Sequence, residues 1–81
     1  MMDELMVRNL LGEDKFMELL IKLPDEYFEL RKSTQDAVWK TILMKINEGI
    51  NEVEQLVKYA RIWMKLYQRV QETGLVYGIN H

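Results

Sequence analysis

The chain has 81 residues, 48% hydrophobic and 30% charged, with a formal net charge of −2 and no cysteine. These values exclude a second domain, an intrinsically disordered chain, disulfide or thiolate-metal chemistry and the strongly basic surface of nonspecific nucleic-acid binding. A single core at this length is only marginally sufficient without disulfides or a metal, so a partner subunit is the expected support.

The first predicted helix, Asp3 to Leu11, places Leu5, Met6, Leu10 and Leu11 close to one face, and Gly12 follows as a stop. A second runs from Asp14, its expected cap, to Leu23, with Phe16, Leu20 and Leu23 at helical spacing. Pro24 ends that helix and is well suited to open the next. Asp25 and Glu26 then precede Arg31 and Lys32, acids before bases as the helix dipole prefers. Residues 24–32 are therefore a third short helix or the first turns of the long one.

The main feature begins with the capping-box shape Ser33-Thr34-Gln35-Asp36. Trp39, Leu43, Ile46, Ile50, Val53, Val57, Ala60, Met64 and Tyr67 then alternate spacings of four and three. That is a heptad pattern. Ile42, Leu56, Trp63 and Val70 widen the apolar face beyond a two-stranded seam, which points to a helical bundle. Gly49 stands between Asn47 and Asn51, where one helix could end and Asn51 with Glu54 could cap the next. The heptad phase continues across the glycine, whose cost in a helix is only about 1 kcal/mol. One continuous helix over about 34–73 is therefore predicted, closed by the glycine stop Thr73-Gly74-Leu75. The fold class is all-α: short helices in 1–32, a long amphipathic helix within 33–74 and a tail over 75–81, in one domain.

Such a helix would be about 58 Å long, against a radius of gyration of about 12 Å for a compact chain of this size. Its apolar face outruns the N-terminal helices, and a second copy is the expected cover. Trp39, Leu43, Ile46, Ile50, Val53, Val57, Trp63, Met64 and Tyr67 are the expected self-association residues of a homodimer. Residues 1–36 carry a net −4 and residues 37–81 a net +2, which permits head-to-tail or antiparallel pairing.

Lys58, Arg61, Lys65 and Arg69 line one side of the same helix and are candidates for anion or nucleic-acid contact. A solvated helix face explains them as well, since Glu54 and Glu72 sit at pairing distance from either end. Tyr59, Trp63 and Tyr67 interleave with these bases in sequence, but Trp63 and Tyr67 fall on another face, unlike a single-strand-binding groove. A helix-turn-helix over residues 3–23 lacks a basic reading helix.

Catalysis finds few parts. Ser33 is the only serine and His81 the only histidine, so no nucleophile has its base. No glycine-rich phosphate loop occurs. Glu48 and Glu52 lack the Glu-x-x-His element of carboxylate metal bundles. No cofactor or metal is expected. Six methionines suit gap-filling or an adaptable binding surface.

The acidic N-terminus is unlike a signal peptide, and no apolar run is long enough to span a bilayer. A cytoplasmic location is expected, with an interfacial membrane helix as a distant option. The leading expectation is a non-enzymatic, self-associating adaptor or regulator that binds a protein partner; the alternative is a nucleic-acid-binding regulator using the basic stripe. The plan of a helical hairpin dimerising into a bundle is shared with many short proteins of viruses, plasmids and mobile elements. No motif is specific to one of them.

Overall fold

A computed structural model describes the backbone of residues 2–73 and the side chains of residues 2–71. The chain is all-α, with five helices and no strand among the described residues: α1 Met2–Leu11, α2 Glu13–Lys22, α3 Asp25–Phe28, α4 Lys32–Asn47 and α5 Val53–Thr73. The expected stop at 73–75 and the tail lie outside or at the edge of the described residues.

Gly12 separates α1 from α2 without a loop. Its N–H donates to the Arg8 carbonyl and its own carbonyl accepts from the Phe16 N–H, both at 3.0 Å. Its φ of 90° and ψ of 159° belong to a region open essentially to glycine alone. Gly12, not Asp14, is thus the residue flanking α2; Glu13 and Asp14 lie in the first turn, where the dipole favours them. Leu23 is extended, as a residue before proline prefers, and ends α2.

The start of α4 also differs from expectation. Arg31 flanks the helix without a side-chain cap, and Ser33 is exposed inside the first turn. Tertiary contacts explain the shift. The Thr34 hydroxyl donates to the Tyr67 hydroxyl at 3.3 Å, and the Gln35 amide donates to the Tyr27 carbonyl at 2.9 Å. Both anchors are made by residues that already lie within α4.

The single helix expected over 34–73 is instead two, α4 and α5, joined by residues 48–52. Gly49, at φ 101°, donates to the Ile46 carbonyl at 2.9 Å, and Ile50 donates to the Lys45 carbonyl at 3.0 Å. That bond pair is the Schellman ending of a helix. The motif also favours an apolar residue just after the glycine, and Ile50 packs on the core with Ile46. The heptad phase therefore survives the turn, because the turn itself places an apolar residue where a helix would have placed one. The break is a reversal: Thr34 meets Tyr67, and the Lys45 ammonium lies 4.5 Å from the Tyr59 ring centroid. The longest dimension is 45 Å, short of the rod.

The four main helices close a ring in which α1 packs on α2, α2 on α5, α5 on α4 and α4 on α1. Trp39, 1% exposed, lies in the core. Phe16 stacks on it at 5.6 Å, Tyr27 meets it edge-on at 6.1 Å, and its indole N–H donates to the Tyr27 hydroxyl. Val7, Leu19, Ile42, Leu56 and Ala60, all fully buried, complete the interior. No helix among the described residues is long and apolar enough to cross a membrane.

Candidate functional site

The expected self-association residues lie in the chain's own interior. Trp39, Leu43, Val53, Val57 and Met64 are buried, and Ile46, Ile50 and Trp63 pack against them half-buried. Tyr67, half-buried, accepts the Thr34 hydrogen bond and stacks on Trp63 at 5.3 Å. Because the helix reverses at Gly49, α4 and α5 cover each other, and the overshoot that called for a second copy is absent.

The basic stripe stands where expected. Lys58, Arg61, Lys65 and Arg69 are all exposed on α5. The electrostatics around them differ from the sequence pattern, because the Glu54 carboxylate pairs with Lys22 of α2. Lys22 also bonds Glu18 at 3.1 Å. These hydrogen bonds, Glu54 first, hold the Lys22 ammonium above its usual range, and Lys22 in turn holds the Glu54 carboxyl below its own. Lys58, Lys65 and Arg69 form no ion pair among the described residues. Arg61 and Lys65 also edge a shallow groove of about 250 Å³ with Pro24, Glu26, Met64 and Gln68. It is open to solvent and holds one carboxylate beside two bases.

Glu48 lies just beyond α4 and pairs with Lys45, while Glu52 lies across the turn. They no longer share one helix. Among the described residues no group of three potential ligands could hold a metal.

The sequence pattern missed the surfaces left uncovered. On α1 the buried residue is Val7, with Leu11 packed beside the core, whereas Met2, Leu5, Met6 and Leu10 are exposed, by 46–73%. The signal was available, since Val7 and Leu11 are four apart and share a face. On α2 the buried face is Phe16, Leu19 and Leu23, leaving Met17 and Ile21 outside. On the α4–α5 hairpin, Met44, Ile62 and Leu66 are exposed.

Direction around α5 follows from its neighbours at about 100° per residue. Lys22 reaches Glu54 on one flank, and Lys45 lies over Tyr59 on the other. Ile62 and Leu66 share the Tyr59 side, the outer seam with α4. On α4 the matching side, fixed by Lys45 and Thr34, carries Ala37, Thr41 and Met44.

Comparison of the chain with protein-family models, with curated proteins and with solved structures finds no match in any of the three.

Proposed function

We propose that this protein is a non-enzymatic adaptor or regulator that works by binding another protein. The carrying observation is the outer flank of α1. Met2, Leu5, Met6 and Leu10 remain exposed after the core is complete, and within one short helix they form a continuous apolar patch, not scattered single residues. Methionine makes such a patch adaptable to a partner's shape. A cytoplasmic setting accords with the lack of cysteine. Self-association, if it accompanies this activity, has to use outer faces such as this one, because the heptad residues are occupied within the chain.

The test is affinity capture from the native host, with nuclease present, using wild type and a Leu5→Glu/Leu10→Glu variant of unchanged helicity. A protein that survives nuclease and is lost from the variant is the expected result. Capture that disappears with nuclease would refute the reading. Light scattering over a micromolar range reports self-association on the same samples.

A second reading, nucleic-acid binding, is favoured by one observation: the Glu54 carboxylate that the sequence spacing offered to Lys58 pairs with Lys22 instead, and Lys58 stays exposed. It requires a mobility shift with duplex DNA or RNA that weakens steeply with salt and vanishes when Lys58, Arg61, Lys65 and Arg69 are replaced together.

A further inference from the structure

Two helices packed side by side leave a groove along their outer seam, and along the α4–α5 seam exposed apolar side chains stand beside basic ones. Ala37 and Thr41, small and half-buried, recess its α4 side. Met44, Ile62 and Leu66 rise around them, 44–56% exposed. Trp63 and Tyr67, half-buried and stacked ring on ring, lie on the α4 side of α5. Lys45 does not obstruct the floor, since its ammonium is folded onto the Tyr59 ring.

The acids of this hairpin are confined to its ends, at Asp36, Glu48, Glu52, Glu54 and Glu72, and its middle is basic. Residues 37–47 contain two lysines and no acid, and residues 55–71 contain four bases and no acid. Asp36, the one acid of α4, is the i, i+4 neighbour of Lys40 and lies one step further round that helix from the groove. By rotation, Lys40 stands at one long edge, and Lys58 and Arg69 at the other. None of these three forms an ion pair among the described residues.

From this we infer that the groove is the docking site for an amphipathic helix of a partner protein whose apolar stripe is flanked by carboxylates. The inference rests on the adaptor reading and names the chemistry of one partner. A cleft between two packed helices takes a third by the same ridge-and-groove packing that joins them. The apolar floor supplies the burial, and the bases select the sign of the flanks. A second copy of this chain is a poor occupant of the same face. A twofold apposition of two such faces brings Lys40, Lys58 and Arg69 toward like charges of the other copy. A bilayer is also a poor occupant, because it meets a convex helix face better than a recessed seam.

The probe is a fluorescein-labelled 18-residue helical peptide with leucines at i, i+3, i+4 and i+7 spacing and glutamates on both flanks, titrated with the full chain by anisotropy. Control peptides carry lysine flanks or a scrambled order. The acidic peptide binds and both controls do not. Ile62→Glu/Leu66→Glu abolishes binding with circular dichroism unchanged. Lys58→Glu/Arg69→Glu weakens the acidic peptide by at least about tenfold and admits the lysine-flanked one. That exchange of preference is a readout that mere destabilisation does not produce.

Each of the following results overturns the inference. The acidic peptide fails to bind at millimolar concentration, or binds equally to the Ile62/Leu66 variant. Vesicles containing phosphatidylserine, or duplex DNA, engage the same residues and displace the peptide. Light scattering shows a dimer lost on Ile62→Glu/Leu66→Glu. Replacing Leu75, Val76 and Ile79 by serine is needed before the peptide binds, which makes the chain's own C-terminal segment the occupant. If the α1 variant alone loses the native partner while the groove variant keeps it, the adaptor reading stands and the groove assignment falls.

Discussion

The α1–α2 and α4–α5 junctions both turn on a glycine at positive φ, yet they are different constructions. Gly12 is a corner with no linker: one residue donates the last bond of α1 and accepts the first of α2. Gly49 is a reversal in which two terminal bonds wrap the end of α4 and two isoleucines pack the turn onto the core. At neither position does a Cβ meet anything within 4 Å, so the demand for glycine is purely conformational. The difference teaches that side chains brace both turns but with different chemistry: an exposed Arg8–Glu13 ion pair at 2.8 Å spans the corner, whereas the reversal, which must bring two long helices together, packs apolar side chains onto the core.

Several substitutions can break that comparison or sharpen it. The largest effect is expected from Trp39→Ala, which removes the central ring and leaves the buried Tyr27 hydroxyl without its donor. Loss of about 3–5 kcal/mol in urea melts is expected, close to the whole stability of so small a domain. Val53→Ala, at the foot of α5 beside the reversal, should cost less because it leaves no polar group orphaned.

Next come the glycines. Gly49→Ala and Gly12→Ala should each cost about 1–3 kcal/mol through backbone strain. Their consequences should diverge. Alanine at 49 favours continuing the helix, and a continuous rod over 34–73 can close its core only by exchanging halves with a second chain. Size-exclusion chromatography should therefore show a new dimer for Gly49→Ala and none for Gly12→Ala. A monomeric Gly49→Ala with undiminished stability would show that the reversal does not depend on the glycine.

Alkaline pH gives a smaller effect. Burial pushes the Tyr27 phenol above its ordinary value, only partly opposed by the Trp39 hydrogen bond. A raised folded-state value means that stability is constant below the unfolded value of about 10 and falls as pH rises beyond it. Tyr27→Phe should flatten that decline while losing the indole partner. The smallest effect belongs to the outer groove. Leu66→Ser should change stability by no more than about 0.5 kcal/mol, since its side chain is 55% exposed. A larger loss would mean that Leu66 is covered in solution.

Much of the fold was legible because it depends on local chemistry. The first two helices follow from Gly12 and Pro24, and their observed boundaries lie within a residue of those expected; the third, expected over 24–32, is only the short helix Asp25–Phe28, with Arg31 and Lys32 at the start of α4 instead of closing it. Which face each helix buries was less legible. On α1 the pattern favoured Leu5, Met6 and Leu10, but the ring geometry selects Val7. Ten residues with several apolar sides offer more than one amphipathic solution. The basic stripe was placed correctly as an exposed row, but its neutralisation was not: Glu54 lies four residues before Lys58, yet its partner is Lys22, thirty-two residues away in sequence. The outer groove had no sequence signal at all, since Met44, Ile62 and Leu66 come from two helices that only the reversal sets side by side.

The amino-acid order by itself determined that this chain is helical, that its helices are amphipathic and where its bases are collected, because propensity, periodicity and charge act within a few residues. Only the tertiary structure decided that the heptad residues face each other within one chain, since a helix that continues and a helix that turns back on a Schellman ending satisfy the same apolar spacing. The choice between them rests on contacts such as Thr34 with Tyr67 and Lys45 with Tyr59. Those contacts join residues too far apart in sequence for any local pattern to register.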